Sequence, residues 1–180
     1  MRIAIIGTSG SGKTTLGRRL AAGIGAPFVE MDAINWQAGW RSLSAEDPAE
    51  FTARVEAALA GPAWVIDGNY SAARAVVWAR ATHLVWLDYD RPTIMARVIR
   101  RSIARALSRR PLWADNREDW RRWGRPSHPI RWAWDTWARR RADAEAHLAD
   151  PAHAHLQVIR LRRPGEAAGV LARLAPASPA

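Results

Sequence analysis

The sequence of 180 residues contains no cysteine. A disulfide framework, a thiolate metal site and a cysteine nucleophile are therefore excluded. Long apolar runs are also missing. The first residues, MRIAII, are too few for the hydrophobic region of a signal peptide, and no later run approaches membrane-spanning length. These absences predict a cytoplasmic, soluble protein that does not insert into a membrane.

Lysine is almost absent. Of the 27 basic residues, Lys13 is the only lysine and the others are arginine. A GTPase of the Ras type carries an N-K-x-D guanine motif, which needs a second lysine, so that class is excluded. The survival of one lysine in such an arginine-rich chain indicates that its position needs an ammonium group.

The positive charge is concentrated in one part of the chain. The net charge is +10, and residues 97–141 hold 14 arginines against four acidic residues. A localised basic segment indicates a polyanionic partner, which can be nucleotide phosphates, nucleic acid or an acidic membrane surface.

The lone lysine belongs to the stretch GTSGSGKTT at residues 7–15. It matches G-x-x-x-x-G-K-[ST], the P-loop pattern, and it lies between a strand-like and a helix-like segment as the mechanism requires. Backbone N–H groups and the helix N-terminus can bind phosphates, while the slender ammonium of Lys13 can lie between the β- and γ-phosphates. We expect this side chain to face solvent when no nucleotide is bound. The predicted nucleotide-binding residues here are Gly7, Ser9, Gly10, Ser11, Gly12, Lys13, Thr14 and Thr15.

Strand-like and helix-like segments alternate along the chain. Alternation of this kind predicts a parallel sheet covered by helices in an α/β fold with three layers. The predicted strands are 3–6, 28–31, 63–66, 83–87 and 156–161, and the predicted helices are 14–24, 46–60, 72–80, 92–108, 129–149 and 165–174. We predict one domain over residues 1–174 and a disordered tail over 175–180.

Carboxylates follow the predicted strands. Asp32 comes just after the second strand, where it can orient or deprotonate an acceptor hydroxyl group. Asp67 follows the third strand, where a carboxylate typically holds Mg²⁺ together with the P-loop hydroxyl, here that of Thr14. Asp88 is a third candidate, for which a turn or capping role competes.

The arginine-rich segment predicts a lid over the site, at about residues 108–128. On the helix before it, Ile94, Met95, Val98, Ile99, Ser102, Ile103 and Ala106 share one face, and we expect the arginines on the opposite face. Long functional insertions often close active sites, and arginines delivered by closure can neutralise charge on a transferring phosphoryl group. The arginines predicted to reach phosphate are Arg105, Arg109, Arg110 and Arg117.

The motifs GTSGSGKTT, MDAINW, VIDGNY, VWLDYDRP and LWADNRE, in this order, resemble those of the adenylate-kinase-related P-loop proteins known as FlaR-like or DNA topology modulation proteins. The resemblance covers most of the chain. It implies a nucleoside- and shikimate-kinase-like fold with five parallel strands in the order 2-3-1-4-5, and ATP as the phosphoryl donor. It places Asp32 and Trp36 on the acceptor side, Asp67 and Asn69 in the third-strand motif, Asn116 and Glu118 in the lid, and Arg162 and Pro164 beside adenine.

Two motifs of related kinases are missing. The chain has DGNYS in place of the D-G-[FY]-P-R motif of adenylate kinases, and it lacks the glycine triplet that shikimate kinases carry near the third strand. The sequence therefore predicts a Mg²⁺-dependent ATP phosphotransferase whose small acceptor is not identified. The chain is expected to be a monomer or a homodimer.

The alternative is an ATP-binding protein that contacts nucleic acid through the interleaved arginines and tryptophans of residues 97–141. Binding of a membrane surface by the same segment is a weaker alternative. Against the nucleic-acid alternative, Ile130, Trp134 and Trp137 have helical spacing, which favours packing in the core.

Overall fold

The computed structural model describes residues 1–108 and 110–174. Through these residues strands alternate with helices. The strands are β1 (Arg2–Gly7), β2 (Phe28–Glu30), β3 (Trp36–Gln37), β4 (Arg41–Ser42), β5 (Trp64–Asp67), β6 (His83–Leu87) and β7 (Gln157–Leu161). The helices are α1 (Lys13–Ile24), α2 (Met31–Asn35), α3 (Leu43–Glu46), α4 (Pro48–Ala58), α5 (Ser71–Arg80), α6 (Arg91–Ser108), α7 (Pro129–Leu148) and α8 (Ala167–Leu174).

Five of these strands form one parallel sheet in the order β2-β5-β1-β6-β7. The other two, β3 and β4, pair antiparallel as a separate hairpin. The sequence analysis predicted five strands and did not predict this hairpin, because two-residue strands are too short to show an alternating pattern. The hairpin strands take the numbers between β2 and β5, so the predicted order 2-3-1-4-5 becomes β2-β5-β1-β6-β7 in the numbering of the structure.

The central strand β1 is buried on both faces, and its residues divide between two cores. Ala4 and Ile6 pack on the side covered by α4 and α5. Ile3 and Ile5 pack on the other side, against residues of α1, α6 and α8. Successive side chains of a strand point to opposite faces, so a continuous apolar run such as IAII fits a sheet that helices cover on both sides.

The parallel register brings the carboxyl ends of the strands to one edge of the sheet. Gly7 pairs with Leu87, and Leu87 pairs with Leu161. On the other side, Ile5 pairs with Asp67, and Asp67 pairs with Glu30. The segments that follow all five strands therefore meet at this edge, which is where ligands bind in open parallel sheets.

The buried face of helix α6 differs from the predicted one. Ile94, Val98 and Ser102 are buried, whereas Ile99 and Ile103 are 39% and 42% exposed. The predicted apolar face was too broad, because the helix lies against the P-loop and turns part of its arginine face inward. The predicted helix 46–60 is also divided, because Asp47 caps a new helix that begins at Pro48.

Two predictions cannot be compared with the fold. Arg109, predicted to be catalytic, and residues 175–180, predicted to be a disordered tail, lie outside the described residues. None of the helices in the described part of the chain combines the length and the apolar composition needed to cross a bilayer.

Candidate active site

The P-loop connects β1 to α1 through backbone conformations that favour glycine. Gly10 has a φ of +87°, and a Cβ there would lie 2.8 Å from Cβ of Val98 on α6. Gly12 has a φ of +99° and precedes the first residue of α1. Side chains at these two positions would strain the backbone, and at Gly10 would also collide with α6. Glycine is therefore required by the backbone conformation at both positions and, at Gly10, by the contact with α6.

Lys13 is turned back over this loop. Its Nζ donates to the carbonyl oxygen of Gly7 at 2.8 Å and to that of Thr8 at 3.3 Å. Burial lowers the pKa of Lys13, while Asp67 and Asp32 act to raise it. The expectation of a solvent-facing side chain was wrong, because the loop carbonyls hold the ammonium where phosphate oxygens would otherwise hold it.

Thr14 and Asp67 face each other behind the lysine. The Thr14 hydroxyl donates to Oδ2 of Asp67 at 2.6 Å. Burial raises the pKa of Asp67 to about 6, against the opposing effects of Lys13 and Thr14. A carboxylate and a hydroxyl oxygen are ligands that Mg²⁺ accepts, usually together with water and phosphate oxygens. These two residues therefore fit the predicted Mg²⁺ site.

Asp32, in the first turn of α2, is oriented by a tyrosine. The hydroxyl of Tyr70 donates to Oδ1 of Asp32 at 2.5 Å. Burial and the charge of Asp32 raise the pKa of Tyr70 well above its ordinary value, so the phenol keeps its proton and remains a donor. The Asp32 carboxylate therefore has one oxygen engaged, and its orientation is fixed.

A cavity of about 510 Å³ joins these groups. Its wall contains both the P-loop lysine and Asp32, together with residues of the β3–β4 hairpin, α6, α7 and the predicted lid. The predicted site residues that line it are Gly7, Ser9, Lys13, Asp32, Trp36, Asn69, Arg105, Arg117 and Glu118. The structure thus brings together the nucleotide side and the acceptor side of the prediction.

Other predicted residues lie off the wall. Arg110, Arg162 and Pro164 are exposed, the last two in the segment after β7. Thr15 is exposed on α1, and Ser11 is buried with an Oγ that has no hydrogen-bond partner.

Asn116, which the resemblance places in the lid, uses its side chain inside the protein. Its Nδ2 donates to the carbonyl oxygens of Gln37 and Trp113, at 2.8 and 2.9 Å. Its Oδ1 accepts from the backbone N–H of Trp40 at 2.9 Å. The indole of Trp40 also donates to the carbonyl oxygen of Arg117 at 3.3 Å. Asn116 therefore fastens the predicted lid to the β3–β4 hairpin.

We expect Asn116→Ala to lower the free energy of unfolding by about 2–4 kcal/mol, since it removes three hydrogen bonds, two of them to backbone groups of the hairpin segment, at Gln37 and Trp40. Urea unfolding monitored by circular dichroism measures the change. Arg125→Ala, at an exposed position of the same segment, serves as the control and should stay within about 0.5 kcal/mol of the wild type. Equal stability of both variants would show that Asn116 does not hold the segment.

The sequence analysis missed two arginines of the site. On α6, Arg101 donates to Oγ of Ser9 at 3.0 Å, and burial lowers its pKa to about 10. On α7, Arg140 donates to the carbonyl oxygen of Asn69 at 2.7 Å. Both line the cavity. The spacing of Arg97, Arg101 and Arg105 at successive turns could have identified Arg101, whereas Arg140 had no local signal.

A buried pair lies where the predicted lid meets α7. Nε2 of His128 lies 2.7 Å from Oε1 of Glu118, and both side chains are almost fully buried. Nδ1 of His128 accepts from the backbone N–H of Ile130, which makes Nε2 the donor to Glu118. Burial opposes ionisation of Glu118, but the hydrogen bond from His128 brings its pKa below the ordinary value.

Comparison with known proteins places this site in a family. No protein-family model matches the chain. The shikimate kinase of Symbiobacterium thermophilum is 32% identical over 129 residues, which are 62% of this chain and 69% of that protein. The structure of a shikimate kinase from Acinetobacter baumannii in complex with shikimate has a TM-score of 0.57 at 19% identity, over 96% of this chain and 89% of that one.

A gluconokinase from Sinorhizobium meliloti 1021 has a TM-score of 0.52 at 18% identity, over 97% of this chain and 93% of that one. At such identities the two structures show the fold, which is an α/β P-loop kinase fold with a parallel sheet. The sequence similarity to the first shikimate kinase goes further, because it covers more than two thirds of that protein. The chain belongs to the shikimate kinase-like family of P-loop kinases.

Proposed function

We propose that the protein transfers the terminal phosphoryl group of Mg·ATP to a hydroxyl group of a small acceptor. The observation that carries this proposal is that Lys13 of the P-loop and Asp32 line one cavity. A phosphoryl donor bound at the P-loop and an acceptor bound at Asp32 would share this space. The reaction forms a bond between the acceptor oxygen and phosphorus, breaks the bond to the β-phosphate oxygen, and releases ADP and a proton.

On the nucleotide side, the P-loop N–H groups and the N-terminus of α1 bind the phosphates. Lys13 exchanges its two carbonyl partners for phosphate oxygens. Thr14 and Asp67 would hold Mg²⁺, which would neutralise charge on the phosphates. Arg162 and Pro164 follow β7 at the same edge of the sheet, and we assign them to the side of the adenine.

On the acceptor side, Asp32 accepts the proton of the attacking hydroxyl group. Tyr70 occupies Oδ1 of Asp32, which leaves Oδ2 for the acceptor. Positioned bases of this kind contribute roughly 10²- to 10⁴-fold to a rate.

The segment 108–128 completes the site as a lid. Arg101, Arg105 and Arg117 place positive charge along the cavity wall, where it can stabilise the transferring phosphoryl group. We retain Arg109 and Arg110 as further candidates in this segment. Because Asn116 ties the lid to the β3–β4 hairpin, we expect the lid and the hairpin to close together over the acceptor.

Within the family, we assign the chain to the FlaR-like group. The support for this finer assignment is that three of its motifs converge on the cavity, through Trp36 of MDAINW, Asn69 of VIDGNY, and Trp113 of LWADNRE.

Nothing in the comparisons supports the nucleic-acid alternative, since the relatives are kinases of small molecules. Two of the tryptophans in question are engaged within the chain. The guanidinium of Arg91 lies 3.6 Å from the ring of Trp134, and the indole of Trp137 donates to the carbonyl oxygen of Tyr89 at 3.0 Å. Trp134 is 53% exposed, so the expectation that it packs in the core was wrong.

The raised pKa of Asp67 predicts a pH dependence of Mg²⁺ binding. Mg²⁺ needs the carboxylate, and a carboxyl group with a pKa of about 6 is mostly ionised at pH 7 and mostly protonated at pH 5. We expect the Mg²⁺ concentration for half-maximal activity to rise about tenfold from pH 7 to pH 5. In Asp67→Asn, Mg²⁺ should bind more weakly at both pH values, with no such change between them. A pH-independent requirement in the wild type would remove Asp67 from the metal site.

The function itself is tested by ADP release from Mg·ATP across a panel of acceptors, with Lys13→Ala as the blank. The panel contains shikimate and gluconate, which the names of the related kinases suggest, together with glucose, myo-inositol, adenosine, adenosine monophosphate and single-stranded DNA. Stimulation by a small molecule, lost in the blank, supports the proposal. Stimulation by DNA alone would contradict it.

A further inference from the structure

Three arginines of α6, at successive turns of the helix, lie along the P-loop and the cavity. Nε of Arg97 donates to the carbonyl oxygen of Gly10 at 3.2 Å. Arg101 contacts Ser9, and Arg105 lies on the cavity wall. None of the three forms an ion pair with a carboxylate in the part of the chain that the structure describes. Of the three, only Arg97 has no part in the proposed function so far.

The guanidinium of Arg97 lies against the N-terminus of α1. Gly12 is the residue before this helix begins, and a Cβ there would lie only 2.9 Å from Nη2 of Arg97. A cation is disfavoured at a helix N-terminus, because the helix dipole places positive charge there. This position therefore does not favour the stability of the fold, but it suits a phosphate group bound between the guanidinium and the N–H groups of the loop.

The order of the arginines along α6 indicates which phosphate Arg97 reaches. Residues four apart in a helix are about 6 Å apart along its axis. Arg105 and Arg101 line the cavity in which the proposed transfer takes place, whereas Arg97 lies outside it. Along the helix, Arg97 is therefore the arginine farthest from the acceptor, at the end of the phosphate chain that is joined to the nucleoside.

The neighbours of Arg97 also place it on the nucleoside side. Its guanidinium lies 5.9 Å from the centroid of the ring of Tyr89, which is buried. Burial raises the pKa of Tyr89, the charge of Arg97 opposes this increase, and the charge of Glu166 adds to it. Glu166 belongs to the segment after β7, where its carboxylate accepts from the backbone N–H of Arg162. Arg97 thus lies near the segment that we assign to the adenine.

We infer that Arg97 binds the α-phosphate of the nucleotide and holds it against the N-terminus of α1. On binding, its guanidinium exchanges the carbonyl oxygen of Gly10 for phosphate oxygens, as Lys13 does with its own carbonyl partners. The inference rests on the proposed function and adds to it the residue that fixes the nucleoside end of the phosphate chain.

Binding of ADP, measured by isothermal titration calorimetry, tests this contact without an acceptor. We expect Arg97→Ala to raise the Kd of ADP by about 10- to 100-fold, as the loss of a charge-assisted hydrogen-bonded pair predicts. Arg97→Lys keeps the charge but loses the planar pair of donors, so it should recover part of the affinity. The matched control is Arg100→Ala, which removes the same charge from an exposed position of the same helix and should bind ADP as the wild type does.

The diastereomers of ATPαS provide a readout that a purely structural role of Arg97 would not change. They place a sulfur atom on one side or the other of the α-phosphate, and sulfur is a weaker hydrogen-bond acceptor than oxygen. We expect Arg97→Ala to change the ratio of the two Kd values by about fivefold or more, since the contact to one side is lost. The same ratio for ATPβS should stay as in the wild type, because the β-phosphate lies farther from Arg97.

The possible results separate this inference from the proposed function. The inference is overturned if the wild type binds no ADP, if Arg97→Ala binds ADP as tightly as the wild type, or if the ATPαS ratio does not change. An equal loss of ADP affinity in Arg100→Ala would also overturn it, because general charge would then account for the effect. If these binding results are as expected but no acceptor of the panel gives Lys13-dependent ADP release, the contact of Arg97 stands and the proposed function fails.

Discussion

Lys13→Ala is expected to lower kcat/KM for ATP-dependent transfer by on the order of 10³-fold while the protein stays folded. Lys13 is the only lysine in the chain, and it lies on the wall of the cavity. Its present partners are the carbonyl oxygens of Gly7 and Thr8. Losing these two hydrogen bonds costs about 1–2 kcal/mol of stability, partly offset because a buried charge is also removed.

Lys13→Arg is the sharper companion variant. Arginine keeps the positive charge, but its planar guanidinium is wider and its donors have fixed directions. We expect it to be nearly as inactive as Lys13→Ala, although the chain otherwise carries arginine at every basic position. The measurement is ADP release with the best acceptor of the panel, with thermal unfolding to confirm the fold. Full activity in Lys13→Arg would show that charge alone suffices and that the single lysine has no special role.

The sequence predicted those features that short segments determine. The strand before the P-loop, the glycines and the lysine are contiguous, so their pattern indicates both the local structure and its ligand. Asp32 and Asp67 could be predicted because each follows a strand, and the carboxyl ends of parallel strands meet at one edge. In each case the information lies within about ten residues.

The missed residues depend on contacts between distant segments. The strands of the β3–β4 hairpin are too short to show an alternating pattern, yet they supply part of the cavity wall. Asn35 also lines the cavity, and its side-chain oxygen accepts from Ser42 and Ser44, which no pattern within its own helix indicates. Arg140 is one of three consecutive arginines, and only the packing of α7 directs it to Asn69.

For Asn116, the sequence identified the residue but did not show its role. The motif LWADNRE marked it as a site residue, but the structure uses its whole amide to join the predicted lid to the hairpin. A motif identifies a residue on which the site depends, and only the contacts show whether that residue binds the ligand or positions those that do.

Asp32→Asn is the second variant expected to have a large effect. It should reduce transfer by roughly 10²- to 10⁴-fold, since an amide cannot accept the proton of the acceptor hydroxyl group. Binding of ATP should be unchanged, because Asp32 does not belong to the P-loop. The substitution keeps an oxygen for the Tyr70 hydroxyl, which donates to Oδ1 at 2.5 Å in the wild type. The protein should therefore fold with little loss of stability.

Tyr70→Phe separates proton transfer from positioning. It leaves the carboxylate in place but removes the donor that holds it, so we expect roughly a tenfold loss of kcat. If Asp32→Asn lost ATP binding and transfer to the same extent, Asp32 would be a structural residue, and the acceptor would have to lose its proton to phosphate or water.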